Sequence, residues 1–316
     1  MGSEYFDLRR SSNFRDRDVL LVEGAVGDAQ ASFELFWEHS LAQPIEDLLE
    51  KPIRYPPEEV WERLHQFSCN PARFLPMLRN RVTAVPASLR ERVGQGLFHV
   101  AERVEYVSDD PGKNNSGTLT GGGVSTDALI ALVRGAKESV VIQSPYLVTT
   151  SVGLSVFKAA EDRGVQVRIL TNSLSSTDNI LAFSGYRRSS DALLEAGVEL
   201  YESKPRMAAQ AELMNGPLRE RFNSKMALHA KSMVVDRKIS VVGSFNLDPR
   251  SANLNTESIT VIHSKEVAGH LLSRMEIEMA PENAWRHTQD FTPDKKASIF
   301  RRLQVVLAKV VPVSLL

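Results

Sequence analysis

His229-Ala-Lys231-Ser-Met-Val-Val-Asp236-Arg-Lys-Ile-Ser-Val-Val-Gly243-Ser244-Phe-Asn246 is the stretch on which the reading of this chain turns. Two short apolar runs, predicted as strands over 232–236 and 239–243, meet at Asp236-Arg237-Lys238-Ile239 in a hairpin-like pair. Polar residues stand at the open ends of both strands. His229 and Lys231 alternate with Ala230, so on an extended backbone their side chains share one face.

Outward from this pair the pattern is helix and strand in alternation. Helices are predicted over 125–136, 154–163 and 189–196, and strands over 139–143, 165–171, 199–202 and 258–263. The strands read as nearly continuous apolar runs, which implies a sheet covered on both faces. A Gly-, Asn- and Ser-rich stretch at 108–123, SDDPGKNNSGTLTGGG, marks a linker; no GK[ST] follows Gly121–Gly123, so it is not a phosphate loop. Upstream, an apolar run over 18–22 reads as a strand and 28–41 as a helix, and prolines break 46–104 into short helical pieces. Irregular chain is expected over 204–224, with Lys204, Arg206, Arg219 and Arg221. The last segment, 297–316, sets Ile299, Phe300, Leu303, Val306, Leu307 and Val310 among Arg301, Arg302 and Lys309, a basic amphipathic helix stopped by Pro312.

The chain has 316 residues and a net charge of −1, so it exerts no bulk attraction on nucleic acid or an anionic membrane; any such pull must come from a local patch. Its single cysteine, Cys69, forms no internal disulfide and reads as a structural thiol. There is no run of signal-peptide character and none of the roughly 18 apolar residues of a spanning helix.

Chemically, an imidazole, an ammonium and amide or hydroxyl donors converging on one pocket suit attack on a phosphodiester. Imidazole serves as nucleophile or acid near neutral pH. Lys231 supplies charge to the equatorial oxygens of the transition state, with donors from Ser244 and Asn246; Gly243 permits close backbone approach. Glu257 is the candidate carboxylate to orient the ring, Asp236 pins the hairpin turn, and no metal or other cofactor is needed for the charge. A second pair, His263-Ser-Lys265, lacks the following Asp and GSxN and reads as surface structure.

The spacing HxK(x)4D(x)6GSxN resembles the HKD motif of the phospholipase D superfamily. IQSPYLV at 142–148, RGVQVRILTNSLSSTD at 163–178, GYRRSSDALLEAGVELYE at 185–202 and GSFNLDPRSANLNTE at 243–257 look like the second half of a bacterial cardiolipin synthase of the C type. Residues 4–22 are similar to the segment just after the first HKD motif in that family. The resemblance implies a phospholipase D-like α-β-α sandwich, with a mixed sheet flanked by helices and an incomplete N-terminal half. Its parts would be a partial half over 1–116, a motif-bearing domain over 117–290 and a basic amphipathic helix over 291–316. It also implies a site made of His229, Lys231, Asp236, Ser244, Asn246 and Glu257, with Tyr146, Thr177, Asp178, Tyr186 and Gly243 lining the substrate pocket; Arg187 and Arg188 read as a solvated pair or a phosphate clamp.

The implied reaction is phosphatidyl transfer between phospholipids through a phosphohistidine on a partner motif, with His229 as acid and base. Implied partners are phosphatidylglycerol, phosphatidylethanolamine, cardiolipin and a membrane surface, met peripherally on the cytoplasmic side of the inner membrane. The family pairs two HKD motifs, and this sequence holds one. It is therefore expected to be a fragment of a two-motif enzyme, weak or inactive alone. The alternatives are a phosphodiesterase acting as a homodimer and a non-catalytic membrane or interaction protein.

Overall fold

The computed structural model describes residues 6–7, 12–21, 24–48, 57–68, 98–113, 120–209 and 225–316, together with 87, 90, 91, 94 and 95. Cys69, Arg219 and Arg221 lie outside the described residues, as does most of the expected irregular segment. The chain divides into two compact units, one of Met1–Leu35 with Ala101–Leu316 and one of Phe36–Val100. The smaller unit contains helices at Ile45–Leu48 and Pro57–Ser68. His229, Lys231 and the residues around them belong to the larger.

That unit is a mixed α/β structure. After β1 (Phe6–Asp7), β2 (Ser12–Arg15) and helix α1 (Val26–Trp37) come β3 (Arg103–Ser108), α2 (Val124–Gly135), β4 (Ser139–Gln143), α3 (Ser151–Glu161), β5 (Gln166–Asn172), α4 (Ile180–Glu195) and β6 (Glu199–Ser203). Next are β7 (Lys225–Leu228), β8 (Ser232–Val235), β9 (Ile239–Gly243), α5 (Pro249–Asn253), β10 (Ser258–His263), α6 (Lys265–Met279), β11 (Ala284–His287) and α7 (Ile299–Ala308).

Eight strands form one sheet in the order β11-β6-β5-β4-β8-β9-β10-β3. Strands β4, β5 and β6 run parallel, and every other neighbour in this sheet is antiparallel. Helices α2, α3 and α4 cover one face, burying Val133, Phe157, Phe183 and Leu193 with Ile142, Ile169 and Met233 of the strands. Helix α6 covers the other through Ala268, Leu272, Met275 and Met279, against Val141, Leu170 and Val234. Burial on both faces explains the unbroken apolar strands; each fully buried Val, Leu or Ile contributes roughly 1.5–3 kcal/mol. A separate three-stranded sheet runs β1-β2-β7, with β2 parallel to β7.

Several boundaries differ from those expected. The upstream strand is β2 at Ser12–Arg15; residues 18–21 carry no strand, with Leu20 exposed, and Val22 lies outside the described residues. Helix α4 starts at Ile180 rather than 189, because Asn179 accepts from the Ala182 N–H as an N-cap and Phe183, Tyr186 and Leu193 line one buried face. Strand β3 pairs with β10 along its whole length, so the sheet draws on residues from both sides of the 108–123 linker.

Candidate active site

Strand β7 delivers the chain to His229, and its parallel neighbour β2 sets Arg15 opposite Leu228. The N–H groups of His229 and Ala230 both donate to the Arg15 carbonyl, at 2.8 and 3.0 Å. Side chains then alternate along 15–17. Arg15 and Arg17 both turn to Glu278 of α6, which is fully buried and also accepts from Gln143. Asp16, between them, turns the other way, and its Oδ2 lies 2.8 Å from His229 Nδ1. The Phe14 ring meets the imidazole edge-on at 5.2 Å.

Burial alone would raise the Asp16 carboxyl, but the hydrogen bond and charge of His229, with the Arg17 N–H and Lys231, hold it below the usual range. An ionised Asp16 can only accept, so the bridging proton sits on His229 Nδ1. That leaves a lone pair on Nε2, to which Lys231 Nζ comes within 3.0 Å while also donating to the His229 carbonyl at 2.6 Å. Asp16, His229 and Lys231 thus form one row. Burial pushes the lysine down to about 8, against the pull of Asp16, Glu257, Asp178 and Asp248.

Beyond β9 the chain packs closely. A Cβ at Gly243 would collide with the Ser258 carbonyl and Ile259 Cα of β10, so the glycine serves strand packing. Ser244 Oγ donates to Glu257 and accepts from the Ser258 N–H. Asn246 Oδ1 is buried without a hydrogen-bond partner, which leaves an amide with unused capacity beside the site. Residues 246–248 lie against the end of β4: the Val148 N–H donates to the Leu247 carbonyl, and the Leu247 N–H to Ser144 Oγ. Asp248 caps α5; burial lifts its carboxyl to about 6, despite the Ser251 N–H.

Asp16, and not the expected Glu257, is the carboxylate bonded to the His229 ring. Both Glu257 oxygens accept from hydroxyls, of Ser244 and Ser251, and its N–H donates to Asp109. Asp236 sits in the β8–β9 turn with Arg237, both at positive φ, as a type I′ turn requires. Its carboxylate accepts from the N–H groups of Lys137, Glu138 and Ser139; these outweigh its burial and keep it below the usual range. About 16 Å of strand separates it from Lys231, at ~3.3 Å per residue, so it braces the hairpin and does not belong to the reacting cluster.

Tyr146 donates to Asp178 at 2.9 Å, and the charge of Asp178 is among those that act on Lys231. Thr177 is buried and closes a local turn, its hydroxyl bonding with Asn179. Tyr186 lies in the core, 1% exposed, with its hydroxyl on Glu202 and His287 rather than on the His229 cluster. Arg187 pairs with Asp294, and Arg188 donates to the Lys309 and Val311 carbonyls, which ties down the end of α7. His263 bonds to Glu105 on the edge strand, and Ser264 caps α6.

Two site-building residues escaped sequence reasoning. Asp16 is 213 positions from His229; the alternation Arg15-Asp16-Arg17 is its only local signal. Asp109 is 1% exposed and gathers Lys113, Ser125 and the Glu257 N–H; it opens a stretch that reads as linker.

A family model described as "Cardiolipin synthase, PLD-like domain" matches residues 129–278. Cardiolipin synthase C of Escherichia coli K12 is 30% identical over 332 aligned positions, covering 99% of this chain and 68% of that protein. An uncharacterized protein of Helicobacter pylori (strain ATCC 700392 / 26695) is 27% identical, covering 90% of this chain and 54% of its own length. The chain thus spans about half to two thirds of these relatives. Among solved structures, the phospholipase D family member Nuc from Salmonella typhimurium aligns with 59% of this chain and 98% of its own, at 18% identity and a TM-score of 0.42.

Proposed function

Because the chain belongs to the phospholipase D superfamily, within its cardiolipin synthase-like members, we propose that it contributes one half of a phosphatidyltransferase site that joins phospholipids into cardiolipin. The observation that carries this reading is the row Asp16–His229–Lys231, with a lone pair of His229 Nε2 facing the ammonium. In that reading the imidazole of a second HKD motif attacks phosphorus, forming a P–N bond as the P–O bond to the first alcohol breaks. His229 Nε2, which carries a lone pair in the resting site, first takes a proton from solvent; the imidazolium so formed, stabilised by Asp16, gives that proton to the leaving oxygen. The incoming alcohol, a second phospholipid headgroup, then returns a proton to Nε2 and displaces the phosphohistidine. Lys231 and Asn246 hold the phosphoryl oxygens throughout.

The family pairs two such motifs and this sequence holds one, so in this reading a second motif, with its own lysine and histidine, completes the site. Either another polypeptide segment or a second copy of this chain would supply it. The lipid partners in this reading are phosphatidylglycerol, phosphatidylethanolamine and cardiolipin. Helix α7 offers the matching surface for a peripheral, cytoplasmic-side contact with the inner membrane. Val305 and Ala308 pack inward, while Ile299, Phe300, Leu303, Val306 and Leu307 are exposed beside Arg302 and Lys309. No helix among the described residues is long and apolar enough to cross a membrane.

The test is phosphatidyl transfer from phosphatidylglycerol, measured for this chain alone and with a polypeptide that carries a second HKD motif. Activity that needs the second motif and disappears in His229→Ala is the expected result. Full activity of the chain as a monomer would overturn the two-histidine reading.

A further inference from the structure

We propose that the apolar cavity running from Lys231 between the sheet and helices α2 and α3 is a binding site for one acyl chain of the phospholipid under attack. The proposal rests on the phosphodiester reading above and deepens it. The cavity measures about 580 Å³, in the size range of ligand pockets. It is a cleft partly open to solvent, and an apolar lining of this extent favours an apolar occupant.

Register fixes how the cavity meets the chemistry. Met233 and Val241 face each other across β8 and β9, and both line the floor. Two residues further along each strand, on the same face, stand Lys231 and Gly243, joined by the hydrogen bond from the Gly243 N–H to the Lys231 carbonyl. The floor therefore leads from methyl and thioether groups directly to the phosphate-holding ammonium. Ile130 of α2 with Val156 and Phe157 of α3 form the walls.

This lining suits methylenes. Polar groups also line it, Thr149, Thr150, Ser232 and Asp248 among them, and Thr149 Oγ1 is buried with no hydrogen-bond partner, but along Ile130, Val156, Phe157, Met233 and Val241 an acyl chain exchanges water for close apolar contact. Val313 and Ser314, just after α7, also line the cavity, so the membrane-facing helix and the cavity are joined by one short segment. A lipid drawn from a bilayer at α7 would have little distance to travel.

The experiment is calorimetric titration with lysophosphatidylglycerols of octanoyl, decanoyl and dodecanoyl chains, below their micellar concentrations, with deacylated glycerophosphoglycerol as the headgroup-only probe. It is run in a Leu303→Glu, Leu307→Glu background so that α7 does not adsorb the probes. Affinity is expected to rise about 15-fold per two methylenes, from ~0.8 kcal/mol for each one buried, until the cavity is full. Val156→Trp and Ile130→Trp, with melting curves to confirm folding, are expected to abolish the rise. A chain-length series that is flat in the unfilled cavity, or a rise that survives in a folded filled variant, overturns the proposal. Lys231→Ala separates the two readings. A flat series with Lys231-dependent headgroup binding removes the acyl site alone, and a steep series indifferent to Lys231 removes the phosphodiester reading on which it rests.

Discussion

Replacing Asp16 with alanine removes the carboxylate that holds His229 Nδ1 at 2.8 Å, while the backbone bonds from His229 and Ala230 to the Arg15 carbonyl remain. The Asp16 side chain is 14% exposed and its partner 31%, so the bond is largely sheltered. A charge-assisted hydrogen bond of this kind contributes about 1.5–3 kcal/mol. In the proposed mechanism that stabilisation is greatest when the ring is an imidazolium, so most of it enters the barrier. The transfer rate should fall roughly 10- to 150-fold, at ~1.4 kcal/mol per factor of ten. Asp16→Asn should fall between the two, since its amide oxygen can still accept from Nδ1–H but brings no charge. A readout independent of turnover is long-range proton–nitrogen NMR, which reports the nitrogen bearing the proton in neutral His229. Nδ1–H is expected in the unmodified chain, with a shift toward Nε2–H in Asp16→Ala. An Nε2–H tautomer in the unmodified chain, or a larger rate loss from Glu257→Gln than from Asp16→Ala, would refute the assignment of Asp16 as orienter.

Lys231 is cationic below about 8 and neutral above it, so binding of glycerophosphoglycerol to the free protein should weaken as pH rises through about 8. Lys231→Arg, which stays charged, should lose that limb even if its affinity at pH 7 is lower; an unchanged limb would point to another group. Arg15→Ala leaves Glu278 buried with only Arg17 and Gln143 to satisfy it, and urea unfolding should show a loss of about 3 kcal/mol, the low end for breaking a buried pair. A loss under ~1 kcal/mol would mean that this network does not anchor β2. Leu303→Glu with Leu307→Glu, at 58% and 73% exposure, should reduce partition onto anionic vesicles by at least roughly 150-fold, from ~1.5 kcal/mol or more for each of two leucine insertions, with melting unchanged; undiminished partition would dismiss α7 as the membrane surface.

The sequence by itself determined what depends on neighbours along the chain. Strands 139–143, 239–243 and 258–263 were legible because both faces of each are buried, and the hairpin and the shared face of His229 and Lys231 follow from a period of two. Helix α6 follows from the same kind of local signal, the spacing of Ala268, Leu272, Met275 and Met279 behind the Ser264 cap. Tertiary structure alone decided which carboxylate serves the imidazole. Glu257 is close in sequence but spends its oxygens on two serines, and Asp16 reaches the ring because β2 lies parallel to β7, with Arg15 and Arg17 clamped on Glu278. Tyr186 shows the same limit in reverse, since a residue of pocket type is drawn into the core by Glu202 and His287. Periodicity records which way a side chain points from its own strand. Which distant strand lies beside it depends on burial and charge pairing summed over the whole fold, and no local window contains that sum.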